Sequence, residues 1–252
     1  MTIPGGAGHD LAAVRETPDA GEIRGTVLFS HAFGSSKDLR GTVRMARALA
    51  DRGWVAVRFD FTGLGQSDGE FAETDLATNV ADVKAVAAWL AAEGQAPRVL
   101  VGHSLGAVAS FLAAPDLSEV GVVVALAAPA STEQLRERLA QYAPELAAGR
   151  ATSAEVEVAG KSVTIGRRLL EDLPRHDVAS AVAALDRPLL ILHSPADEIT
   201  PPDHAAMLFR AARHPKSFVS LDRADHLLLR DARDAEFVAD LIAAFAERYR
   251  PE

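Results

Sequence analysis

From residue 27 onward, short unbroken apolar runs alternate with longer amphipathic stretches. Residues 27–30, 54–60, 99–102, 120–126 and 188–193 are rich in Val, Leu and Ile. They lack a clean in-out alternation, which is the pattern of parallel strands covered on both faces. The intervening segments 35–52, 75–93 and 105–114 read as helices, and Ser35 with Asp38 three residues later has the form of a capping box. Before this alternation begins, residues 11–16 and 22–26 flank a Pro-Asp-Ala-Gly turn and predict an opening hairpin. Residues 217–221 form the last strand. The expected fold class is α/β: a mostly parallel central sheet with helices on both faces. Sites in such sheets lie beyond the carboxyl ends of the strands.

The rhythm breaks between residues 131 and 185. A charged helical stretch (132–141) is followed by an alternating segment (155–165) that reads as a β-hairpin around Ala159 and Gly160, then by a second helix (167–172) ending before Pro174. This predicts an inserted cap of helix, hairpin and helix over 131–185, carried by a core of 1–130 and 186–252. Arg136, Arg138, Arg167 and Arg168 in the cap are matched by nearby acids, as on a solvated face, and do not imply an anion clamp.

The chemistry centres on Gly102-His-Ser104-Leu-Gly106, which joins an apolar strand to a small-residue helix. A serine hydroxyl is a poor nucleophile unless it is exposed, paired with a base and faced by donors for the developing oxyanion. A sharp strand-to-helix turn supplies the exposure, with glycines two positions either side where side chains would collide. An acid and a histidine should then follow in that order, each after a late strand. Asp197 follows 189–193 and His226 follows 217–221. Asp203, Asp222 and Asp225 compete as the acid. Asp203, however, completes a capping box with Thr200, Asp222 precedes the histidine in its loop, and Asp225 adjoins His226. The oxyanion donors expected are the amides of Leu105 and of Phe33, the latter in the loop after the first buried strand. His31, His103 and Leu227 are candidate substrate-binding residues. The two histidines also suit hydrogen bonding to loop backbone.

Composition narrows the partners. The 26 basic and 35 acidic residues give a net charge of -9, which disfavours nucleic acid or an anionic membrane as a partner. The absence of cysteine excludes disulfides, thiolate metal sites and a cysteine nucleophile. Met1 to Asp10 has neither a basic nor an apolar leader region, so a cytoplasmic location is expected; serine chemistry of this kind needs no metal or cofactor, and a monomer or homodimer is expected. Asp60-x-x-Gly-x-Gly-x-Ser67 lacks the Lys-Ser/Thr of a phosphate loop and the third glycine of a dinucleotide fingerprint, so it reads as a structural turn.

The loop at His31, the Asp60 to Ser67 motif, Gly-His-Ser-Leu-Gly and the ordered Asp197 and His226 together resemble the α/β-hydrolase superfamily over almost the whole chain. More narrowly, Ser35-Ser-Lys-Asp-Leu39, Arg58-Phe-Asp-Phe-Thr-Gly-Leu-Gly65, Arg213-His-Pro-Lys-Ser-Phe-Val-Ser-Leu221 and Ala224-Asp-His-Leu-Leu228 are similar to hydrolases associated with OsmC-type proteins. In that group the domain is often fused to a cysteine-dependent peroxide-reducing domain, and none is expected here. The loop near His31, where that group often has cysteines, carries Ala32 and Ser35. The resemblance implies a capped serine hydrolase acting on small-molecule carboxylic esters through an acyl-enzyme. The alternatives are a perhydrolase, haloperoxidase-like or thioesterase activity on the same three residues, or a binding protein on a hydrolase scaffold.

Overall fold

The computed structural model describes residues 1–158 and 160–249. The elements, in chain order, are β1 (Thr2–Pro4), β2 (Asp10–Glu16), β3 (Gly25–Ser30), α1 (Arg40–Asp51), β4 (Trp54–Phe59), α2 (Leu76–Ala92), β5 (Pro97–His103), α3 (Leu105–Ala113) and β6 (Val122–Leu126). The excursion that follows holds α4 (Glu133–Tyr142), α5 (Pro144–Ala147), β7 (Ser153–Val158), β8 (Lys161–Gly166), α6 (Arg167–Asp172) and α7 (Val178–Ala183). The chain then returns through β9 (Leu189–His193), α8 (Asp203–Ala211), β10 (Lys216–Ser220) and α9 (Ala232–Arg248).

Among the described residues eight strands form one sheet in the order β1-β2-β4-β3-β5-β6-β9-β10, antiparallel only at β1, β2 and β4. Side chains of the central strands alternate between two apolar layers. Leu100, Val123 and Ile191 face the layer built with α2, α3, α7 and α8, whereas Val99, Val101, Val122 and Val124 face α1 and α9. Both layers are fully apolar, which is why these strands show no polar alternation in sequence.

Register places the site. Ser30 pairs with Gly102, His103 with Leu126, and His193 with Ser220. The carboxyl ends of five parallel strands therefore reach one edge together, and the loops after β3, β5, β9 and β10 converge there.

The start of the chain departs from the sequence expectation. Residues 11–16 do form a strand, but β2 pairs with β1 and β4 and not with residues 22–26, which run into β3. β4 inserts between β2 and β3, so Leu11 and Ala13 reach the core by a partner far along the chain. Neither expected capping box forms. Ser35 lies in a turn and Asp38 is drawn to Lys37 and Arg58, so α1 begins at Arg40 with no side-chain cap. The Thr200 amide is taken by Asp197, and α8 starts after Pro202 without a side-chain cap.

In the excursion, α4, the β7-β8 hairpin and α6 appear as expected, with α5 and α7 in addition. Ala159, at the expected hairpin turn, lies outside the described residues. Leu139, Leu146, Val156, Ile165, Leu169 and Leu173 are buried in the same apolar cluster as the sheet, so the insertion shares the core of the main domain. Arg168 pairs with Asp75 at 2.8 Å, and the Ala77 amide donates to Asp172 at 3.1 Å, fastening the insertion to the start of α2. No helix among the described residues is long and apolar enough to cross a membrane.

Candidate active site

Ser104 sits between β5 and α3 with φ 54° and ψ -122°, a conformation disfavoured for a residue with a Cβ. Backbone bonds hold it there: its amide donates to Leu126 O at 2.9 Å, and its carbonyl accepts from the Ala107 amide at 3.0 Å. The flanking glycines are explained by proximity. A Cβ on Gly102 would lie 2.2 Å from Ala107 Cα, and one on Gly106 would lie 2.3 Å from Ser30 O. Strand and helix could not approach so closely with any other residue.

Asp197 follows β9, with its side chain fully shielded from solvent. One carboxylate oxygen accepts from the Ile199 and Thr200 amides at 2.8 and 2.9 Å, leaving the other to accept from His226 Nδ1 at 2.7 Å. Burial pushes the Asp197 carboxyl up. The hydrogen bond and charge of His226, with the Thr200 and Ile199 amides, outweigh it and hold the group below the usual carboxylate range. Because Nδ1 donates to the acid, Nε2 of His226 is the nitrogen available to work as a base. The competing acids are engaged elsewhere or distant. Asp225 folds its own loop, accepting from the amides of Leu227, Leu229 and Arg230, and Asp222 projects into solvent.

Ser104 and His226 line one cavity of about 510 Å³. No hydrogen bond joins them among the described residues. Phe33, Leu105 and Leu227 line the same cavity. Neither the Phe33 nor the Leu105 amide donates to a protein acceptor among the described residues, and both residues line the cavity that Ser104 lines.

His31 and His103 are placed differently from their expected contact with substrate. Neither lines the large cavity. His31 donates from Nδ1 to Ala32 O at 2.8 Å and accepts at Nε2 from the Phe61 amide at 3.2 Å, bracing the Phe33 loop from behind. His103 donates from Nε2 to the backbone carbonyl of His226 at 2.7 Å. Burial, with the neighbouring His226, pushes His103 down to about 3, so the ring is neutral. The polar histidines were drawn into the backbone of the loops because a buried imidazole must find partners there.

Residues from the insertion, unidentified from sequence, form the far wall of the cavity. They include Leu135, Leu139 and Tyr142 of α4 and Val158 of β7, with the polar Gln134, Arg138 and Glu157 beside them. Amphipathic spacing marked α4 as a helix but gave no indication of which face meets the core domain. His193, at the end of β9, donates from Nε2 to Thr200 O at 2.9 Å and lies 3.6 Å from Asp197.

Comparison with known proteins gives the family and likenesses of fold. Residues 21–233 match the family described as serine aminopeptidase, S33. Among solved structures, the esterase domain of a Rhodothermus marinus protein is 36% identical, with TM-score 0.79 over 99% of this chain and 97% of that one. Ferulic-acid-bound Est1E of Butyrivibrio proteoclasticus is 20% identical, with TM-score 0.80 over 99% and 98%, a likeness of fold. The human protein ABHD12B is 28% identical over 190 residues, 75% of this chain, and the chain spans about half of that relative's length. These names carry no OsmC association; the family they support is the broad one. The chain is an α/β serine hydrolase and belongs to the serine aminopeptidase, S33 family.

Proposed function

We propose that the protein is an esterase in which Ser104, His226 and Asp197 act as a triad and the Phe33 and Leu105 amides as the oxyanion hole. The observation that carries this reading is the 2.7 Å bond from His226 to a buried Asp197, on a cavity shared with a Ser104 held at φ 54°. His226 Nε2 takes the Ser104 proton as Oγ adds to the ester carbonyl. The oxyanion is held by the two free amides, and the proton passes to the departing alkoxide, leaving an acyl-enzyme. Water enters, gives its proton to His226, adds to the acyl carbon and releases the acid as Ser104 regains its proton. Asp197 keeps the imidazole in the required tautomer and stabilises its cation.

The cavity supports a substrate with a bulky apolar portion. Leu105, Leu135, Leu139, Val158 and Leu227 are among its walls, and its volume of about 510 Å³ exceeds the needs of an acetyl group. The esterase named from Rhodothermus marinus supports ester over amide.

The test is intact mass after incubation with a fluorophosphonate, followed by peptide mapping, beside turnover of short- and long-chain nitrophenyl esters. One adduct on Ser104, with turnover lost in step, is expected, and Ser104→Ala should abolish both. A folded, unlabelled wild-type protein would favour the binding-protein alternative. Turnover that required hydrogen peroxide would favour the perhydrolase.

A further inference from the structure

We propose that His103, the residue immediately before Ser104, is a positioning residue that sets where the His226 imidazole stands. This rests on the triad reading above. His103 closes β5 and projects to the same side of the sheet as Val99 and Val101, the side toward α1 and α9, where the loop after β10 passes. There its Nε2 meets the backbone carbonyl of His226 at 2.7 Å, with the two rings 5.2 Å apart between centroids.

The partner decides the tautomer. A carbonyl oxygen only accepts, so the proton of His103 must be on Nε2, and Nδ1 is left bare. That Nδ1 is buried and has no hydrogen-bond partner among the described residues. A buried orphan acceptor carries a desolvation cost that an apolar side chain would not. Its presence is explained if the Nε2–H bond performs a task that an apolar residue could not.

The task follows from what else holds the loop. Asp225 gathers the amides of Leu227, Leu229 and Arg230, all downstream of His226, and the Ala224 amide is bonded to Leu221 O upstream. The His226 carbonyl itself is held by His103. Because His103 and Ser104 are consecutive, this bond ties the base's backbone to the nucleophile's strand across a single peptide unit. The groups facing His103 are His226, Asp197 and His31, and burial keeps His103 uncharged beside them. The imidazolium that forms on His226 therefore meets a neutral neighbour, where a lysine or arginine would repel it.

The test pairs His103→Gln with His103→Met, side chains of matched length of which only glutamine has an N–H to give. Met should lower kcat for a nitrophenyl ester by about 10- to 100-fold with little change in KM, as expected of a displaced base. Gln should recover most of that loss, at melting temperatures close to one another. Equal losses in both variants, or none, would overturn the proposal. Should the variants fail to fold, nitrogen-15 spectra of the wild-type histidines decide it: a hydrogen-bonded Nε2–H on His103 supports the assignment, and an Nδ1–H tautomer overturns it. Fluorophosphonate labelling of the wild type is run in parallel. A wild-type protein that is not labelled counts against the triad, whereas one that is labelled but indifferent to position 103 counts against this proposal alone.

Discussion

The carboxylate of Asp60 holds Lys37 twice, accepting from its backbone amide at 2.6 Å and from its Nζ at 2.8 Å. Both side chains are buried, and Nζ is also bonded to Gln66 Oε1 at 2.6 Å. The pair ties the loop after β3, which carries Phe33, to the turn after β4, where Asp60 also accepts from the Gln66 amide at 2.9 Å. The glycine-rich turn that resembles a phosphate loop is therefore a clamp on the proposed oxyanion loop.

Asp60 is the fully buried partner of Lys37, and losing its charge would leave that buried ammonium only the largely exposed carboxylate of Asp38. Asp60→Asn should therefore destabilise the protein by about 3 to 5 kcal/mol. It should also lower kcat for ester hydrolysis more than it raises KM, since the Phe33 amide is displaced. Urea unfolding and steady-state kinetics on the same preparations check both, and a variant as stable as the wild type would contradict the role given to the clamp.

Asp197→Asn should fold, since the Ile199 and Thr200 amides still have an oxygen to bond, yet lose on the order of four decades in kcat through mis-set tautomer and lost charge. Asp222→Asn should leave kcat unchanged, because its side chain projects into solvent. Near-normal turnover in Asp197→Asn would remove it from the proposed triad.

Stability should fall on the acid side for a reason traceable to the site. Asp197 and Asp75 both lie below their ordinary 3.8 in the folded protein. In each, burial pushing upward is outweighed: by His226 and the loop amides for Asp197, and by Thr78 and Arg168 for Asp75. A depressed carboxyl contributes stability fully above its unfolded value and loses it as pH falls through the lower folded value. Urea midpoints measured downward from about pH 7 should therefore decline first below the ordinary 6.5 of histidine, as the unfolded chain protonates a His103 that burial keeps neutral in the fold, and then further through and below the carboxyl range. Asp197→Asn should show a shallower decline than the wild type; identical slopes would speak against the pairing.

Leu135→Trp should narrow the cavity from the α4 side. It is expected to reduce kcat/KM for an octanoyl ester by roughly 10- to 200-fold while sparing the acetyl ester. Equal effects on the two chain lengths would place the acyl group away from α4.

Gly106→Ala tests the close approach of α3 to β3. The added methyl would lie 2.3 Å from Ser30 O and 2.4 Å from His31 O, both backbone atoms that cannot swing aside. A loss of about 3 kcal/mol or more is expected, read as a lowered unfolding midpoint. A midpoint equal to that of the wild type would mean that the helix can shift freely at the elbow.

Local signals were sufficient for much of this protein. The apolar runs of β3 to β6 and β9 were legible because burial on both faces needs nothing but composition. The Ser104 elbow was legible because steric collision dictates glycine at 102 and 106 whatever surrounds them. That Asp197 and His226 each follow a strand was legible because the pattern already marked those strands. Tertiary structure alone decided the rest. Whether Asp38 caps a helix or pairs with Arg58, and whether residues 11–16 pair with the following segment or with β4, depend on competition with partners far along the chain. The same holds for His31 and His103. Their side-chain type announced a polar role near Ser104, but whether each faced substrate or backbone turned on which carbonyl lay within about 3 Å, a distance set by the packing of whole strands and invisible in any short stretch of sequence.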